Sequence, residues 1–245
     1  MEIIIIIGMI CFFGAFVQSL IGFGYAVFVT PLISLILGPK LAIVFSIITS
    51  TFTSYILFFH RGAYSELKNV RTLALMAIIG TPVGIFLLFY FNENIIRFLI
   101  SIAIFVSAGV TLRKKNNAKH NDRISLQIIF GLMSGVMRGT VSMGGPPVVI
   151  YQNWVGGTPD VIRNKMYAFF AWISPVGIIF LLPSGLIDFD LIKLIPTSIV
   201  FISLGIFVGV KNRAKISSRL FHYLSVSLLF LVSVIGITNT LLIWF

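Results

Sequence analysis

The stretch GVMRGTVSMGGPPVVIY, Gly135 to Tyr151, lies inside a long apolar region but does not read as a lipid-facing helix. It holds Arg138, hydroxyls at Thr140 and Ser142, glycines at Gly139, Gly144 and Gly145, and the consecutive prolines Pro146 and Pro147. Proline lacks the N–H and clashes with the preceding turn, and Gly-Gly loosens the backbone. A helix break is therefore expected between Met143 and Pro147. Broken backbone at membrane depth survives only inside protein or along a cavity. An arginine at that depth costs about 2.5–3.5 kcal/mol on insertion scales, so it needs a partner or a purpose.

Composition supports that setting. The 245-residue chain is 58% hydrophobic and 10% charged, with a mean hydropathy of +1.06. Soluble domains carry about 25% charged residues, so one integral membrane domain is expected. The net charge of +11 does not indicate nucleic acid, because the basic residues sit in short loops between apolar runs. The single cysteine, Cys11, has no internal partner and reads as a small buried hydrophobe. The start of the chain, Met-Glu and five isoleucines, has no basic n-region and reads as the first membrane segment rather than a secretory signal.

The first half has its own interrupted run. Ile3 to Leu37 is too long for one helix and short for two, and is interrupted at Gln18–Gly24. Two short helices meeting at a glycine tip are expected there. Spans follow at Leu41–Phe59, Val70–Phe91 and Ile95–Leu112, then the polar stretch RKKNNAKHNDR at 113–123. The second half answers with a broken region at Ile124–Gly157, a polar loop at 158–165, and spans at Met166–Leu182, Leu191–Val210 and Leu220–Ile243. At an offset of 120, Gln18 faces Arg138, Gly22 faces Ser142, Gly24 faces Gly144 and Pro39 faces Pro159. With small gaps, Gly84-Ile85-Phe86 meets Gly205-Ile206-Phe207.

Charge orients the repeat. If each broken region enters and returns, the loops at 60–71, 113–123, 158–165 and 211–219 share one face, leaving only Lys40, Arg97 and Lys193 on the other. The positive-inside rule prefers that arrangement. A re-entrant hairpin and two short crossings both satisfy it. The expected fold is all-α and integral to the membrane, with two inverted-topology repeats at 1–112 and 124–245. Each has a broken or re-entrant helix pair followed by three spans, and 113–123 is a cytoplasmic linker. The expected location is the plasma (inner) membrane, multi-pass, with both termini outside. This pattern places transporter sites near the midplane, at discontinuous helices.

Two tips meeting there form a candidate anion site. Exposed N–H groups and helix dipoles favour an anion, and Gly22, Gly24, Gly139, Gly144 and Gly145 admit close approach. Arg138 adds charge and a two-pronged donor. Gln18, Ser19, Thr140 and Ser142 supply further hydrogen bonds, while Phe23, Tyr25 and Met143 line an apolar part. All seven acidic residues lie at segment ends or in loops, which disfavours cation transport. A membrane enzyme acting on lipid diphosphates would need a buried carboxylate or a Ser/His pair near the tips, and neither is present. No cofactor or metal is expected. The expected partners are a small anion and the lipid bilayer, with no nucleic acid; a homodimer is compatible with the pattern.

Blander readings stand beside these. Arg138 can snorkel or bond carbonyls at the break, and small residues can serve helix packing. The hydroxyls of Thr49–Ser54 either line a pathway or bond their own helix. Arg163 and Lys165 read as topology markers, His60 and His222 as interfacial or packed, and Trp154, Trp172 and Trp244 as interfacial anchors near segment ends.

IGFGYAVFVTPL at 21–32 and VSMGGPPVVIY at 141–151 resemble the paired glycine-rich motifs of the TauE/SafE family of sulfite exporters. HRGAYSELKNV at 60–70 and PSGLIDFDLIKLIP at 183–196 are similar to that family's pattern too, and the resemblance runs from about Gly8 to Ile237. It implies a multi-pass, non-enzymatic transporter of sulfite, organosulfonates or related anions. Tyr25, Ala26 and Ser142 stand where the family's usual residues are small or glycine, which bears on the substrate. A permease for other anions, such as carboxylates, and an anion channel are the alternatives.

Overall fold

The computed structural model describes residues 2–112, 121–187 and 189–212. They form α1 (Glu2–Ile21), α2 (Tyr25–Leu37), α3 (Pro39–Arg61), α4 (Arg71–Tyr90), α5 (Glu93–Leu112), α6 (Ile124–Val141), α7 (Gly145–Val155), α8 (Pro159–Leu181) and α9 (Phe189–Asn212). Six of these, α1, α3, α4, α6, α8 and α9, are long and apolar enough to cross a membrane. The expected span at Leu220–Ile243, together with His222 and Trp244, lies outside the described residues, as does most of the 113–123 linker.

Both expected breaks are present, at altered positions. α1 runs unbroken for 20 residues through Gln18 and Ser19, and α2 has 13, so the first region is one long helix and one short helix rather than two short ones. The first break is Gly22-Phe23-Gly24, and the second is Ser142-Met143-Gly144. Pro146 and Pro147 do not lie in the second break; they open α7. A proline in the first helical turn forfeits an N–H that has no partner there anyway, and its fixed φ suits the helix. The polar stretch at 158–165 is mostly the start of α8, with Thr158 as N-cap accepting from the Val161 N–H at 3.4 Å. Trp172 accordingly falls well inside α8, at an exposed position, and not at a segment end.

Glycines set the closest helix crossings. A Cβ on Gly135 would overlap the Ala77 carbonyl, one on Gly139 the Thr81 carbonyl, and one on Gly84 the Val136 carbonyl. α4 and α6 therefore run parallel with their backbones in contact, along small residues spaced four apart. α1 and α9 make the corresponding pair: Gly205 receives the Phe12 carbonyl, and the Phe201 ring covers Gly8. α3 and α8 cross antiparallel through the centre, with Thr51 beside Ser174, Ile47 against Gly177 and Arg61 near Asp160. Ile3, Ile5, Ile79, Phe86, Val200 and Phe207 are among the large apolar side chains left on the outside, as a lipid-facing surface requires.

Candidate anion site between the two helix breaks

The breaks meet. The Phe23 side chain lies against Gly145, the first residue of α7, and Phe170 of α8 lies close by. Beside that contact is a cavity lined by residues of both breaks and by α3 and α8. Gln18, Gly24 and Tyr25 line it from the first half; Arg138, Ser142, Met143, Gly144 and Gly145 line it from the second. Ser50, Ser54 and Phe170 complete the wall. Its volume is about 20 Å³, room for one water-sized group.

Arg138 dominates this cavity. It is one of the largest buried side chains, only 2% exposed, yet among the described residues no carboxylate pairs with it. Its Nη2 donates to the Ser174 hydroxyl at a long 3.4 Å, and its Nε has no partner. No carboxylate lines the cavity. Buried charges are normally paired, so among the described residues this guanidinium is left with unused donor capacity.

Ser142 adds two further costs at the same place. It holds φ +65°, a left-handed conformation that costs a non-glycine residue about 1–2 kcal/mol. Its hydroxyl is buried without a partner, a penalty of about 1–3 kcal/mol. Strain and unmet hydrogen bonding clustered on one cavity wall point to function.

The two breaks contribute different chemistry. α2 begins Tyr25-Ala26-Val27, all lining the cavity, and its first turn has unpaired N–H groups that suit an anion. α7 begins Gly145-Pro146-Pro147, so two of its first three donors are missing. Backbone donors therefore come mainly from the first break, and the fixed charge comes from the second.

The other residues singled out from sequence face elsewhere. The Ser19 hydroxyl donates to the Phe16 carbonyl at 2.7 Å and lies against Gly209 of α9. Thr140 donates to the carbonyls of Val136 and Gly84 at 2.9 and 3.1 Å, and Gly139 packs on α4. Gly22 is covered by Arg163, and Phe23 stands between the breaks without lining the cavity. The Thr49–Ser54 hydroxyls all donate to carbonyls of their own helix, yet Ser50 and Ser54 also line the cavity. Phe170 and Ser174 were missed from sequence. The repeat offset of 120 could have found them, because it sets Phe170 opposite Ser50 and Ser174 opposite Ser54.

An all-helical, multi-pass membrane protein with a buried, cation-lined cavity between two helix breaks has the architecture of a solute transporter. The description "Sulfite exporter TauE/SafE" matches residues 7–235, and the chain belongs to that family of membrane transporters. No curated protein and no solved structure matches it.

Proposed function

We propose that this protein carries small sulfur-containing anions, sulfite or organosulfonates, across the plasma membrane by alternating access around the cavity between the breaks. The observation that carries this is Arg138, a buried guanidinium with no counter-ion among the described residues, facing the helix break that offers backbone N–H groups. The family supports the substrate class. An oxyanion of several heavy atoms exceeds a 20 Å³ cavity, so binding requires the breaks to part.

Inverted repeats fit the packing. α1 with α9 and α4 with α6 form equivalent parallel pairs that exchange on swapping halves, and the central pair α3/α8 is antiparallel. A two-fold axis in the membrane plane produces that combination. With the basic loops inside, both termini face outward. In this reading the protein is a carrier rather than an enzyme, as its transporter family suggests.

The test is sulfite and organosulfonate flux into liposomes holding the purified protein, alongside a carboxylate panel and an Arg138→Ala variant. Sulfur-anion flux lost in the variant is expected. Unchanged flux in Arg138→Ala removes the site, and flux of carboxylates alone removes the substrate class. Currents far above carrier rates, without counterflow, would replace the carrier with a channel.

A further inference from the structure

The first break is held by side chains that have no counterpart at the second. The Arg163 Nη1 donates to the Leu20 carbonyl at 3.0 Å, and the Tyr167 hydroxyl donates to the Ser19 carbonyl at 3.0 Å. These belong to the last turn of α1, where carbonyls have no intrahelical N–H to accept from. The Arg163 stem lies in the space that a side chain on Gly22 would fill, 3.0 Å from where its Cβ would stand, and Gly22 itself holds φ +93°. Arg163 Nη2 also reaches the Asp160 carboxylate at 2.9 Å, which Arg61 of α3 approaches at 3.7 Å. One carboxylate therefore faces two guanidinium groups from different helices.

At the offset of 120, Arg163 and Tyr167 correspond to Ile43 and Ile47, both fully buried and apolar. Both breaks close with one backbone bond, Gly22 N–H to the Gln18 carbonyl at 2.8 Å and Ser142 N–H to the Arg138 carbonyl at 2.9 Å; the second adds a bond within its own half, from the Ser134 hydroxyl to the Gly144 carbonyl at 2.5 Å. The end of α1 is tied to α8 by hydrogen bonds that Arg163 and Tyr167 donate to its carbonyls, whereas the end of α6 donates outward, from Thr140 to the Gly84 carbonyl and from Arg138 to the Ser174 hydroxyl.

We propose that Arg163, supported by Asp160, Arg61 and Tyr167, is a latch that positions the end of α1 and keeps the cavity closed toward the face where α3 ends and α8 begins. Opening on that face breaks the Arg163–Leu20 contact; opening on the opposite face leaves it intact. Arg163 and Tyr167 are positioning residues, acting through Gln18 and Gly24 on the cavity wall. This rests on the cavity being the transport site, but its test needs no substrate.

The experiment replaces Cys11, the only cysteine, with alanine and places a reporter thiol in the cavity with Ser54→Cys. A membrane-impermeant thiol reagent is applied from each side of oriented vesicles. Adding Arg163→Gln raises labelling about tenfold from the latch face only, as expected for an opening equilibrium that loses one charge-assisted hydrogen bond. Arg163→Lys, which can still donate to the Leu20 carbonyl, returns labelling toward the parent value. Unchanged labelling in Arg163→Gln overturns the latch. An equal rise from both faces also overturns it, showing that Arg163 only holds the fold together. Sulfite flux is measured separately, so a failed latch leaves the substrate reading standing, and the reverse.

Discussion

The Phe23 ring fills the space beside Gly145, with a ring carbon 3.1 Å from where a Cβ on that glycine would stand. The two helix breaks, far apart in sequence, are thus in contact through an aromatic side chain and a residue that has none. A Gly145→Ala substitution pushes the ring away and holds the breaks apart. Transport is expected to fall by about tenfold, as in cores where overpacking costs about 1–3 kcal/mol. Adding Phe23→Leu should restore much of it, because the smaller side chain relieves the contact. Flux measured on both single variants and the double variant checks this; no recovery in the double would separate the two residues.

Arg138 is expected to be costly to the fold. Removing a buried charge that no carboxylate pairs among the described residues relieves a desolvation penalty, and the one partner left behind, the Ser174 hydroxyl, loses only a long 3.4 Å bond. Arg138→Met should therefore keep or raise the thermal midpoint of the purified protein while eliminating anion flux. A drop of several degrees would mean that the guanidinium serves structure instead.

Ser142 makes a paired prediction. Ser142→Gly removes the left-handed strain, worth about 1 kcal/mol, and should raise stability slightly. It also removes a buried hydroxyl from the cavity wall, so anion affinity should weaken. A thermal scan beside a flux-against-concentration curve tests both, and tighter binding in the glycine variant would contradict the role given to the hydroxyl.

The glycine crossings should divide sharply by environment. Gly135→Ala forces a methyl group into the Ala77 carbonyl and should cost about 3 kcal/mol or more, preventing recovery of a monodisperse protein. Gly62, at the end of α3, meets nothing within 4 Å, and its φ of +58° limits the cost of Gly62→Ala to about 1 kcal/mol. Size-exclusion profiles of the two variants compare them directly.

Much of this was legible in the chain. Glycine inside an apolar run marks the first break, glycine, proline and arginine mark the second, and Arg138 lines the cavity between them. The side-chain directions were not legible. Ser19 and Thr140 carry the right groups for anion binding, but their helix faces turn toward α9 and α4. Spacing alone could not reveal that without knowing which helices cross. Proline serves equally as a helix breaker and a helix starter, and Pro146 and Pro147 are starters because they stand in the first turn of α7. The role of Arg163 was hidden for the same reason: a basic residue after a polar loop looks like a topology marker until a neighbouring helix end is brought to it.

The crossed pairing of α1 with α9 and of α4 with α6 bears on how the chain is made. α1 leaves the ribosome long before its glycine-lined mate α9. Until then its hydrophobic sides have only lipid and their own hairpin for company. Neither half is complete by itself, and the glycine-lined face of α9 reaches α1 only after every helix between them has been made.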